Sequence, residues 1–126
     1  MSATGPHELI KPDAGFSHVA KAAPGKMVTV AGQIGAGDTI VEQFGGAARN
    51  VVAALAAGGA EPHHVVWLQI FVTDVDAYVA AREEIGAVYR DAFGRHFPPM
   101  GLFGVTRLVD PAALVELMAL AVVPDP

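Results

Sequence analysis

The short β-branched run Met27-Val-Thr-Val-Ala31 ends at Gly32 and the glycine-rich Gly35-Ala-Gly-Asp38, which predicts a strand followed by a turn. Downstream, Phe44, Ala47, Ala48, Val51, Val52, Leu55 and Ala56 recur at the spacing of one helix face. Thr39 and Glu42 precede them with capping-box spacing, and Gly58-Gly59 is a natural stop, although Gly45 and Gly46 weaken the first turns. Val65-Val-Trp-Leu-Gln-Ile-Phe-Val72 is nearly all apolar and rich in β-formers, the pattern of a strand buried on both faces. Asp74 or Asp76 then caps a second helix whose inner stripe is Tyr78, Ala81, Ile85, Val88, Tyr89 and Ala92. Phe93 to Pro99 reads as a loop, and Met100–Leu108 and Leu114–Val123 as strands joined through Asp110-Pro111. With Gly15–Lys21 as a short edge strand, the order is β, β, α, β, α, β, β. That order implies an α+β fold, a mixed sheet with two helices on one face.

Composition narrows the picture. A chain of 126 residues makes one domain, 1–126, and 52% hydrophobic with only 17% charged residues excludes intrinsic disorder. The longest run without a charged side chain, Pro62–Thr73, falls far short of the roughly 18–20 residues that cross a bilayer, so no membrane association is expected. Met1–Pro12 is polar and mixed, without the charged start and apolar run of a leader, and the expected compartment is cytoplasmic. The absence of cysteine removes disulfides and thiolate chemistry. A net charge of −5 with scattered lysines and arginines argues against a nucleic-acid partner. The apolar share exceeds what so small a core can hide, and exposed apolar patches mark interfaces, so self-association is expected.

Several motifs invite a chemical reading and yield a plainer one. Gly32-Gln-Ile-Gly35-Ala-Gly37 follows a strand but lacks the Gly-Lys-Ser/Thr of a phosphate loop and the spacing of a dinucleotide fingerprint, so it reads as a turn. His63-His64 stands before a strand, where successive side chains diverge, and reads as solvated loop histidines. No other grouping has ligand spacing; neither a metal nor a cofactor is expected. Gly94-Arg95-His96-Phe97-Pro98-Pro99 reads as a loop.

Together, Val30-Ala-Gly-Gln-Ile34, the Arg49 helix, Val65-Val…Phe71-Val-Thr-Asp74, Gly94-x-His96-Phe97-Pro98, Val105-x-Arg107-Leu108 and Val115-Glu-Leu-x-Ala119 resemble the YjgF/RidA family, also labelled endoribonuclease L-PSP, over about residues 15–123. The resemblance implies a chorismate-mutase-like α+β fold assembled as a homotrimer around a central barrel, with ligand clefts between neighbouring subunits. Archetypal members hydrolyse reactive enamines and imines such as 2-aminoacrylate. In them an arginine after the Phe-Pro motif clamps the substrate carboxylate, and a glutamate on the last strand positions the attacking water.

This chain departs from that pattern at both positions, which are Met100 and Met118, and the tyrosine of the Gly-Pro-Tyr-Ser segment is Phe16. A family asparagine aligns with either Arg82 or Gly86 because of an insertion of about one turn. Arg107, seven residues from Met100, would face the other side of a regular strand, and Arg49 reads as structural. The resemblance therefore implies an apolar cleft lined by Phe16, Met100, Leu102 and Met118, suited to a small carboxylate-poor molecule. His18 shares the face of Phe16, and Glu116 that of Met118; both are candidate acid–base groups for hydrolysis or tautomerisation of an imine or enamine. The alternatives are a non-catalytic binding or structural trimer in which methionines seal the seam and, less favoured by the acidic balance, a ribonuclease or translation inhibitor.

Overall fold

The computed structural model describes residues 5–126, in which six strands and three helices follow one another. Strands β1 (Glu8–Asp13) and β2 (Phe16–Lys21) form an antiparallel hairpin. Strand β3 (Gly25–Gln33) leads to helix α1 (Ile40–Ala57) and, through a 3-10 turn over Pro62–His64, to β4 (Val65–Val72). Helices α2 (Val75–Ala80) and α3 (Arg82–Phe93) cross to β5 (Met100–Gly104), and β6 (Val115–Pro124) closes the chain. The main sheet has the order β3-β6-β4-β5, with β4 and β5 parallel and the other pairs antiparallel. The expected mixed sheet under helices is present.

Local chemistry explains the helix boundaries. Thr39 accepts from the Glu42 amide at 3.1 Å while the Glu42 carboxylate accepts from the Thr39 amide at 3.2 Å, so both halves of the capping box form. Asp74, of the two candidate caps, accepts from the Ala77 amide at 3.0 Å. Gly58 ends α1. The second helical segment is not continuous: it breaks at Ala81 into α2 and α3.

Alternation along β4 and β6 divides the sheet. Leu68, Ile70 and Val72 with Val115, Leu117, Ala119 and Ala121 face the helices and are buried against Phe44, Val51, Leu55, Ile85 and Tyr89. The other face carries Trp67, Gln69 and Phe71 of β4 opposite Leu120, Met118 and Glu116 of β6. Strand β4 is therefore buried on one face of a single chain rather than on both: Trp67 is 37% exposed. Phe103 of β5 and Met27 of β3 extend this open apolar face, Phe103 stacking on Phe71 with ring centroids 5.5 Å apart.

The β1 strand lies in a polar, mixed segment for which the sequence pattern predicts no element. Its anchors are polar. His7, 3% exposed, accepts the Ala23 amide at Nδ1 (3.0 Å) and donates from Nε2 to the Val122 carbonyl (2.7 Å), tying the segment ahead of β1 to the end of β6. The opposite correction applies to β5, which ends at Gly104 instead of Leu108. Arg107 consequently lies in the following loop, where its Nε donates to the Leu108 carbonyl at 3.3 Å, and strand alternation does not fix its direction.

Candidate functional site

The loop before β5 sets up the site. Tyr89 donates its hydroxyl to the His96 carbonyl at 2.6 Å, and its ring stacks on Phe93 and Phe97. His96, buried, donates from Nε2 to the Val65 carbonyl at 2.7 Å. Burial pulls this imidazole below its usual pKa, although the Val65 carbonyl partly opposes the shift. Ser17 of β2 donates through its hydroxyl to the Phe97 carbonyl at 2.7 Å and through its amide to the Pro98 carbonyl at 3.4 Å. The Gly94–Pro99 loop is thus a clasp that joins α3, β4, β5 and the hairpin.

Ser17 points into that clasp, so alternation turns Phe16 and His18 the other way. Phe16 then lines a cavity of about 470 Å³ between the hairpin, α2–α3 and β5, together with Met100 and Leu102. The volume lies in the range of small-molecule sites, roughly 300–1,000 Å³. Phe44, Tyr78, Tyr89 and Phe97 supply further aromatic wall. Desolvation raises the phenols of Tyr78 and Tyr89 above the ordinary tyrosine range, so both stay protonated donors at neutral pH.

Of the six residues singled out from the sequence, three meet here: Phe16, Met100 and Leu102. His18 stands beside Phe16, ring centroids 5.1 Å apart, but outside the cavity wall and exposed, with Nε2 3.4 Å from the Asp13 carboxylate. Met118 and Glu116 pair across β4 with Gln69 and Phe71, whereas Met100 and Leu102 pair with Leu68 and Ile70. The two methionines therefore occupy opposite faces of one chain's sheet, and a single chain does not bring them together. Glu116 lies over Gly32, where any side chain would overlap its carboxylate; the glycine of Val30-Ala-Gly-Gln-Ile34 makes room for it.

Two residues that sequence reasoning did not place in the cleft do line it. Arg82 and Arg90 of α3 reach the cavity beside Gly86. A signal for them exists in the sequence, since positions 82, 86 and 90 fall on one helix face.

His63 and His64 also differ from expectation. They sit on the 3-10 turn ahead of β4 with rings 4.3 Å apart, and His64 is buried rather than solvated. Glu61, His63 and His64 bring potential ligand atoms within 4.8 Å of one another. The His64 Nδ1, however, accepts the Glu61 amide at 2.9 Å, which puts the ring proton on Nε2 and leaves neither nitrogen a free lone pair. Burial, then the neighbouring His63, lowers the pKa of His64. The trio is a turn clasp.

Residues 7–123 match the family model described as Endoribonuclease L-PSP. The chain belongs to this YjgF/RidA family. Among solved structures it is similar to Rv2704 of Mycobacterium tuberculosis, a member of the YjgF/YER057c/UK114 family, with 38% identity, 86% of this chain and 87% of that chain covered, and a TM-score of 0.67. It is also similar to the Rid-family protein YyfB of Yersinia pestis, with 27% identity, coverage of 94% and 99%, and a TM-score of 0.79. RidA of Psychrobacter sp. PAMC 21119 shares the fold at 18% identity, coverage of 86% and 88%, and a TM-score of 0.67. Comparison with curated proteins gives no match.

Proposed function

We propose that this Rid-family chain binds a small molecule with an apolar body in the cavity at Phe16, Met100 and Leu102, and that the site is completed by a neighbouring copy in a homotrimer. The observation that carries this reading is the convergence of those three residues, from separate parts of the sequence, on one cavity of ligand size. The open apolar sheet face, with Trp67, Phe103 and Met27 exposed, supports assembly, because such a face is costly in water. A seam that sets this face against the β5 edge of the next copy brings Glu116 and Met118 to the cavity, where Glu116 serves as acid or base toward an imine or enamine. Sedimentation equilibrium should then give three times the chain mass; a monomer would contradict the assembly.

Archetypal 2-aminoacrylate hydrolysis is absent on this reading, because the carboxylate clamp and the water-positioning glutamate are Met100 and Met118. With 2-aminoacrylate generated in situ by a serine dehydratase, the expected result is no acceleration over buffer. Rapid turnover would overturn it. The expectation of a carboxylate-poor ligand loses its premise, since Arg82 and Arg90 line the same cavity.

A non-catalytic binding protein is the second reading, and it is favoured by one fact: neither His18 nor Glu116 lines the cavity of a single chain. Saturable ligand binding with no turnover would support it, whereas turnover that survives unchanged in H18A and E116Q would instead remove both residues from any acid–base role. Ribonuclease action is disfavoured by the net charge of −5, and a nuclease-free preparation should leave RNA intact.

A further inference from the structure

Arg82, Gly86 and Arg90 are spaced i, i+4, i+8 along α3, and all three line the cavity. On a helix surface an arginine can pair with an acid three or four positions away. Here those positions hold Tyr78, Val79, Ile85 and Gly86 around Arg82, and Gly86, Ala87, Phe93 and Gly94 around Arg90. Among the described residues, neither arginine has a carboxylate within 4.0 Å, although the chain carries 13 acidic residues. Arg82 also stands in the first turn of α3, where the helix dipole disfavours a cation. Within a single chain both charges thus lie at the cavity without an ion-pair partner.

Gly86 shapes how they meet. A Cβ there would come within 3.3 Å of Arg90 Nη1, so the Arg90 guanidinium folds back over the glycine toward the start of the helix. One helical turn, about 6 Å of rise, separates that level from Arg82. Both arginines line the same cavity from one helix face, and an arginine there offers a carboxylate a charge-assisted, bidentate contact. Below this lip the walls are aromatic, with Phe16, Tyr78 and Tyr89, and the floor is Met100 and Leu102.

Building on the reading of this cavity as a ligand site, we propose that its ligand is a small aromatic acid, its ring on the Met100–Leu102 floor and its carboxylate between Arg82 and Arg90. Arg82 and Arg90 are specificity-determining residues for the acid. The ligand lies the opposite way round from one clamped at position 100: the strand holds the apolar end and the helix holds the charge.

The test uses 3-phenylpropionate and its neutral isostere 3-phenylpropionamide, titrated into the full-length protein and followed by calorimetry. The acid should bind about fivefold more tightly than the amide at low salt, and the advantage should shrink as salt is added. In R82Q/R90Q the acid's advantage over the amide and its salt dependence should both be lost, with a far-UV circular dichroism spectrum and Tm like those of the wild type showing that the variant is folded. Equal affinities in the wild type, or an acid preference that persists in the double variant, would overturn the proposal and leave the cavity reading standing. Binding of neither probe would overturn both.

Discussion

Tyr89→Phe is the most informative single change to the frame of the site, because it removes one oxygen and leaves every ring in place. The hydroxyl is deeply buried, in a side chain 6% exposed, and donates to the His96 carbonyl at 2.6 Å. His96 is held at its other end by its bond to the Val65 carbonyl, so the loop cannot easily turn its backbone toward a new donor. A buried acceptor left without its partner costs about 1–3 kcal/mol. For a chain of this size that corresponds to a fall in Tm of roughly 3–15 °C, read at fixed protein concentration since an assembling protein melts in a concentration-dependent way. Circular dichroism melts of wild type and Y89F provide the comparison. A second readout is independent of stability: the chain has only two tyrosines, and burial raises the phenol pKa of Tyr89 strongly and that of Tyr78 as well. Alkaline absorbance titration of the wild type should therefore lag behind free tyrosine, and Y89F should lose the later-titrating phase. A Tm within 2 °C of wild type, together with loss of the earlier-titrating phase instead of the later one, would refute the clasp as described.

Gln43 offers a parallel test away from the site: buried in α1, it donates to the Gly37 and Ala112 carbonyls and accepts the Leu114 amide at 2.7 Å, so Q43A should cost about 2–4 kcal/mol in urea unfolding with little change in m. The buried histidines make stability depend on pH. Burial holds His64 and His96 below their usual pKa, so as pH falls from 6.5 the unfolded chain takes up protons that the folded chain refuses, and stability falls. The slope is at most about 1.4 kcal/mol per pH unit for each histidine. Melting temperatures between pH 7 and pH 5 should decline, less steeply in H96Q; a flat profile would contradict the assignment.

How much of this was legible in the sequence differs by feature. Thr39 with Glu42, Asp74 and Gly58 announce their helix boundaries because capping is local chemistry between residues a few positions apart. The β1 strand was not legible: Glu8–Asp13 is mixed in polarity and includes Pro12, and its hold on the body comes from His7 reaching Val122 across the whole chain. The break at Ala81 leaves no trace of glycine or proline. At the site, the positions of Phe16, Met100 and Leu102 followed from the family pattern and meet in one cavity. Arg82 and Arg90 were missed because the pattern directs attention to strand positions, whereas their signal lies in what is absent three and four residues away. The placement of Met118 and Glu116 on the far face of the sheet was implicit in the pairing of β6 with β4, which no single stretch of sequence reveals.

The chain's four methionines make the central claim directly measurable. With 13C-methyl methionine and assignment by single Met→Leu variants, 3-phenylpropionate can be titrated while each methyl resonance is followed. Met100 lines the cavity, Met118 lies on the open face that the proposed seam carries to it, and Met27 is 66% exposed at the far edge strand of the sheet. The account predicts that the Met100 and Met118 signals shift together and saturably while Met27 stays in place. A Met100 signal that does not move at saturating probe would contradict the ligand site, and movement of Met100 without Met118 would contradict the seam.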